Sequence, residues 1–221
     1  GTPGPRANCW YRGRTCAHRH CLVPEKCANL TVGYDACIRL YRKAAQVPGV
    51  RHVFLGSGLR HDLLAGPAAD AYLRQICAHQ VSGLLKVAPE HCDDGVLRLM
   101  NKPRFAVYEA FVARFKAAAR AVGKEIYVVN YFITAHPGAS LRENLKLALY
   151  LAKRRIKPEQ IQDFIPAPGT LATCMYHTGR DPFTGKPVHV ARSERERRQQ
   201  RAMIQFDQPR NRELLVAALR E

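Results

Sequence analysis

Short apolar runs of strand length begin near residues 51, 83, 125 and 160, spaced 32, 42 and 35 residues apart, with helix-like stretches between them. That spacing is the repeat of a βα unit, and a chain built of such units folds as a parallel sheet with helices on its faces. The runs are Val53-Phe54-Leu55, Gly83 to Ala88, Ile126 to Ile133 and Gln160 to Ile165. Glycine or proline closes each: Gly56-Ser57-Gly58, Pro89, His136-Pro137-Gly138 and Pro166-Ala167-Pro168-Gly169. Before and between them, Ile38, Tyr41 and Ala45 fit a helix, a second helix fits 68–80, and Phe105, Tyr108, Phe111, Phe115, Ala118 and Val122 form one apolar stripe ending at Gly123. Ser140 with Glu143 is a capping-box signature for a helix over 141–155. Four such units are too few for a closed eight-fold barrel, which leaves an open doubly wound sheet or half of a barrel.

On either side of this α/β body, taken as residues 34–178, the composition changes. Residues 1–33 hold Cys9, Cys16, Cys21 and Cys27 within 19 residues. A chain that is 47% hydrophobic has a core and does not need a disulfide framework, so the cluster reads first as a metal or iron–sulfur centre. Four thiolates serve tetrahedral zinc or a [4Fe–4S] cube, with His18 and His20 able to replace one of them. The C-x6-C-x4-C-x5-C spacing does not choose between them. Cys37 and Cys77 lie on helices and read as small buried hydrophobes. Residues 179–221 read as a basic helical extension of two short helices, broken at Pro209-Arg210-Asn211, that dock on the body or trail from it.

Net charge is +17, with 35 Lys+Arg against 18 Asp+Glu. This excludes an acidic solvating protein and points to a polyanionic partner, with Arg195 to Arg201 and the acid-free stretch up to Pro24 as footprints for nucleic acid. No apolar run approaches the ~20 residues of a membrane span. There is no signal-peptide pattern, so a soluble cytoplasmic protein with no membrane partner is expected. The chain opens on Gly1 with no methionine, as a processed chain or a piece of a longer one would. An unfinished sheet would leave strand edges open to self-association.

In parallel α/β folds ligands bind at the strand carboxyl ends. The polar residues there are Ser57, Arg60, His61 and Asp62, then Glu90 and His91, then His136, then Thr170, with Lys86 inside the second run, where a charge would need a buried partner or a ligand. Several chemistries are excluded by spacing. Ser57 lacks the flanking glycines of a nucleophile elbow, Gly179 to Lys186 is not a phosphate loop, and neither G-x-G-x-x-G nor H-E-x-x-H occurs.

Five strand-end segments in order carry a family resemblance: LGSGLRHD at 55–62, LKVAPEH at 85–91, LMNKP at 99–103, YFITAHPG at 131–138 and FIPAPGTLATCMY at 164–176. Together they resemble the YgiQ-type radical S-adenosylmethionine proteins, along essentially the whole chain. The resemblance implies the later half of a partial (β/α)6 barrel, with S-adenosylmethionine bound on a [4Fe–4S] cluster that reduces it to a 5′-deoxyadenosyl radical. It places Ser57, Lys86, Glu90, His136 and Gly138 in the S-adenosylmethionine pocket, and makes Cys9, Cys16, Cys21 and Cys27 an auxiliary [4Fe–4S] or zinc site. The family's C-x3-C-x2-C motif does not occur in these residues. A C-terminal portion, inactive alone and of unknown small-molecule or RNA substrate, is therefore expected. The alternatives are an RNA-binding or RNA-modifying module and a structural zinc-binding α/β domain.

Overall fold

The structure, a computed structural model, describes residues 5–7, 21–23, 26–28, 30–158 and 160–221. It is α/β, with a three-stranded parallel sheet and alternating βα units. In chain order the elements are β1 (Pro5–Ala7), β2 (Leu30–Val32), α1 (Tyr34–Ala45), α2 (Pro67–His79), β3 (Leu84–Glu90), α3 (Asp94–Leu99), α4 (Phe105–Ala121), β4 (Tyr127–Thr134), α5 (Leu141–Arg154), β5 (Ile161–Asp163), α6 (Leu171–Thr178), α7 (Glu194–Ile204) and α8 (Arg212–Arg220). β1 and β2 form an antiparallel pair, and the main sheet has the order β3-β4-β5. β4 and β5 are parallel, with Phe132 opposite Ile161 and Thr134 opposite Asp163.

Two compact units result. The first takes the described residues up to Ala88 together with Ala106–Val129, and the second takes Pro89–Phe105 with Asn130–Glu221. In the first, α1, α2 and α4 bury Tyr72, Leu73, Ile76, Phe111 and Phe115 almost completely. The Tyr41 and Tyr72 hydroxyls meet at 3.2 Å, and Tyr34 donates from its hydroxyl to the Leu63 carbonyl. Cys77 is fully buried and burial pushes its thiol up to about 11, as an inert core group. Cys37 is half-buried.

Arg114 on α4 ties down the start of α2. Its Nη2 meets Asp70 Oδ1 at 2.7 Å and the Gly66 carbonyl at 2.7 Å, and its Nη1 reaches the Leu64 carbonyl at 2.9 Å. Arg114→Met keeps the aliphatic stem but removes every donor. Charge-assisted bonds of this kind are worth about 1.5–3 kcal/mol. The expected loss is about 2 kcal/mol in urea unfolding, and an unchanged midpoint would show that water replaces the guanidinium without cost.

In the second unit, Phe132, Leu147, Leu151 and Ile204 form one buried cluster, and Ala148, Met203 and Ala218 a second, so α5, α7 and α8 pack together. The C-terminal helices therefore dock rather than trail. The capping box at Ser140 and Glu143 is present and starts α5 where the sequence places it.

Two expectations need correction. Val53-Phe54-Leu55 is not a strand: Leu55 N–H bonds the Gln80 carbonyl and Leu59 N–H the Lys86 carbonyl, but Gly56-Ser57-Gly58 lies between and only Leu59 bridges to Val87. Lys86 is not buried. Along β3 Leu85, Val87 and Pro89 point inward while Leu84 and Lys86 are exposed, so ordinary strand alternation solvates its charge. The sequence pattern also passed over α3, started by the Asp93 carboxylate accepting from Gly95 and Val96 N–H, and α6, started by Thr170.

Candidate strand-end site

The carboxyl ends of β3, β4 and β5 all fall in the second unit. β3 ends with Glu90 in the left-handed region at φ 69°. A side chain adopts that backbone only at a cost, which structures tolerate mainly where function fixes it. Glu90 Oε1 lies 3.2 Å from Lys102 Nζ. The chain then turns, His91 N–H bonding the Pro89 carbonyl at 2.9 Å.

His91 is completely buried. Its Nδ1 accepts from Asp93 N–H at 3.0 Å, so the neutral ring carries its proton on Nε2. That Nε2–H has no hydrogen-bond partner among the described residues. Burial pushes the His91 pKa down to about 4, with the Asp93 and Glu143 charges raising it less than burial lowers it. Lys146 meets Asp93 Oδ2 at 2.6 Å and so holds the Asp93 carboxylate that caps α3.

β4 ends on a second left-handed residue, Ala135 at φ 58°. Its N–H is received by Gln200 Oε1 at 2.8 Å. Gln200 Nε2 donates in turn to the Ala139 carbonyl at 2.8 Å, so one buried side chain from α7 holds both ends of the loop. Between them His136 bonds through Nδ1 to the Pro137 carbonyl at 2.8 Å. A carbonyl only accepts, so His136 Nδ1 is protonated and Nε2 keeps its lone pair. Burial lowers the His136 pKa, and its ring meets Phe164 edge-on at 5.1 Å. The loop closes at Gly138, φ 94°, whose N–H bonds the His189 carbonyl. A Cβ at Gly138 would have to push the tip of Leu99 aside, and it is the positive φ that makes glycine the fitting residue.

β5 is joined to the same place through Asp163. It accepts from Thr134 Oγ1 at 2.6 Å and from Arg201 Nε at 3.1 Å. The site thus offers a half-buried carboxylate at Glu90 and two buried neutral imidazoles of opposite polarity, one presenting Nε2–H and the other an Nε2 lone pair. Nothing in the sequence marked Gln200, Asp163 or Thr134. Their signal is only that polar side chains stand at positions facing a core.

Of the residues expected at a pocket, Glu90, His136 and Gly138 share the second unit, while Ser57 and Lys86 belong to the first and are both exposed. His61 packs its ring against Tyr108 and Phe111, a core histidine. Cys9 and Cys16 lie outside the described residues. Cys21 and Cys27 carry free thiols, and Cys27 N–H bonds the Cys21 carbonyl at 2.9 Å. Among the described residues no three His, Cys, Asp or Glu side chains converge on a metal position, and no helix is long and apolar enough to cross a membrane.

Residues 159–221 match a family described as a domain of unknown function (DUF3362). Three relatives extend the similarity to nearly the whole chain. A UPF0313 protein of Methanosarcina mazei is 42% identical over 226 residues, covering 99% of this chain and 36% of that protein. One from Methanocella arvoryzae is 42% identical over 98% of this chain and 37% of its own length. One from Clostridium botulinum strain 657 is 39% identical over 98% of this chain and 35% of its own length. The homologues of this chain are thus UPF0313 proteins, and it spans about a third of their length.

Proposed function

We propose that this chain supplies the later strand ends of an S-adenosylmethionine pocket in a radical S-adenosylmethionine protein, as part of a partial (β/α)6 barrel. The observation that carries this reading is the pair of left-handed, non-glycine residues, Glu90 and Ala135, at the ends of neighbouring strands. Strain at two strand ends, where parallel sheets bind ligands, supports a ligand site there. Similarity to UPF0313 proteins over nearly the whole chain supports the resemblance of the strand-end motifs.

The residues present fit the small molecule. The Glu90 carboxylate suits its amino and sulfonium charges. When bound, an iron–sulfur cluster would supply the electron for reductive cleavage. The C-x3-C-x2-C segment that would hold that cluster does not occur in these residues. Cys9, Cys16, Cys21 and Cys27 offer thiolates to an auxiliary [4Fe–4S] or zinc centre, for which the free thiols of Cys21 and Cys27 are the right donor type.

The test compares this chain with a polypeptide extended to the full length of its relatives, both reconstituted anaerobically. The extended protein should bind S-adenosylmethionine and release 5′-deoxyadenosine on reduction, while this chain alone releases none. Glu90→Gln in the extended protein should weaken binding about tenfold, the worth of one charge-assisted bond. Equal affinity in that variant would remove Glu90 from the pocket, and a cluster-loaded extended protein that leaves S-adenosylmethionine intact would defeat the reading as a whole. Iron and zinc analysis, with and without Cys9/Cys16/Cys21/Cys27→Ser, tests the auxiliary centre separately.

A further inference from the structure

The first unit contains a cleft of about 470 Å³ that the strand-end site does not use. Its walls are the last turns of α1 and α2 and the segment Arg51 to Val53, so it lies toward the amino end of β3. Arg42, Arg51, His52 and His79 line it, and its described lining includes no aspartate or glutamate. Basic residues in a last helical turn, such as Arg42 and His79, ordinarily answer the helix dipole. Arg51 and His52 belong to no helix and have no such explanation. Among the described residues neither Arg42 nor Arg51 is engaged by a carboxylate.

Two further features are independent of charge. Gln80, only 5% exposed, walls the cleft, and its Oε1 has no hydrogen-bond partner among the described residues. A buried acceptor left unpaired is destabilising, and a donor arriving from a ligand relieves it. The rings of His52 and Phe54 are stacked, 5.2 Å apart and within 14° of parallel, with Phe54 52% exposed. A solvent-facing flat aromatic beside free arginines is the equipment of a base-stacking platform with a phosphate-binding groove.

We infer that this cleft binds single-stranded nucleic acid, with Arg42 and Arg51 on phosphates, a base on the His52–Phe54 stack, and a hydroxyl or amine donor on Gln80 Oε1. A polymer fits better than a free nucleotide because exposed Arg39 and Lys43 continue the basic stripe along α1 beyond the cleft, in a chain of net charge +17. The Arg-rich helix α7 is the weaker footprint. Arg195 pairs with Glu221, Arg201 with Asp163, and Arg197 reaches the Phe164 carbonyl, so three of its arginines are held internally.

This inference does not depend on the S-adenosylmethionine reading, and its test involves neither that molecule nor a metal. Fluorescence anisotropy with labelled ten-nucleotide RNA and DNA, titrated with this chain between 50 and 300 mM salt, should show salt-dependent binding. Arg42→Gln/Arg51→Gln should weaken it at least tenfold and flatten the log–log salt slope by about 1.4, the loss of two phosphate contacts on a single strand. Phe54→Ala should weaken it roughly tenfold through lost stacking. Both variants have exposed side chains, and circular dichroism confirms that they fold. Absence of binding at 50 mM salt overturns the inference. So does a salt slope unchanged in the arginine variant but lost in Arg195→Gln/Arg198→Gln, which moves the site to α7. A mononucleotide that competes as well as the oligonucleotide overturns the polymeric ligand.

Discussion

Gln200→Leu is expected to destabilise the protein by about 4 kcal/mol and to lower its melting temperature by roughly 10 °C. Gln200 is fully buried, and its amide answers the Ala135 N–H and the Ala139 carbonyl, whose residues are themselves buried. Leucine matches the volume but leaves both main-chain groups without partners in a place water does not reach. Each such orphan costs about 1–3 kcal/mol. Asn144, whose Nδ2 donates to Gln200 Oε1 at 2.9 Å, loses less, because the same amide also donates to the Ser140 carbonyl at 2.9 Å. The effect should be local as well as global: amide exchange at residues 135–139 should speed up more than exchange in α5. Arg198→Ala, an exposed change on the same helix, should stay within about 0.5 kcal/mol of the parent. If Gln200→Leu were as benign as that control, the loop after β4 would not depend on α7 for its shape.

That dependence explains which parts of the molecule could be read in the sequence. The α4 stripe and the Ser140–Glu143 cap are local patterns with local causes, and both stand as expected. β3 and β4 are read for the same reason, since their apolar runs are long enough to declare a strand. Val53 to Leu55 has the right residues for a strand, but Gly56-Ser57-Gly58 limits its pairing to the single bridge at Leu59, and pairing is not visible in composition. Helix α7 shows the opposite failure. Its sequence looks solvated, yet Gln199, Gln200, Ala202, Met203 and Ile204 are buried. A polar inner face has no hydropathic signature, because what makes it stable is the geometry of the backbone groups it answers, which lie 61 and 65 residues away in the chain.

Stability should fall as the pH is lowered from about 6.5 to about 4, chiefly because of one residue. Burial lowers the His91 pKa to about 4 from its ordinary value of 6.5. Between those values the unfolded chain takes up a proton that the folded protein refuses, so protons favour unfolding. A shift of this size corresponds to about 3 kcal/mol, present in full above pH 6.5 and lost below pH 4. His136, also lowered by burial, acts in the same direction. Burial raises Asp93 and Glu143, but the Lys146 hydrogen bond and the α3 N–H groups at Asp93, and the Ser140 bonds at Glu143, outweigh it. Both therefore sit below the usual carboxylate range and add losses at the acid end of the window. His91→Asn separates the contributions: its Oδ1 can keep the Asp93 N–H bond, and it does not titrate. Urea midpoints for that variant should change much less between pH 6.5 and 4 than those of the parent. Equal slopes would mean that His91 charges without penalty, and its Nε2–H would then have to be reached by water.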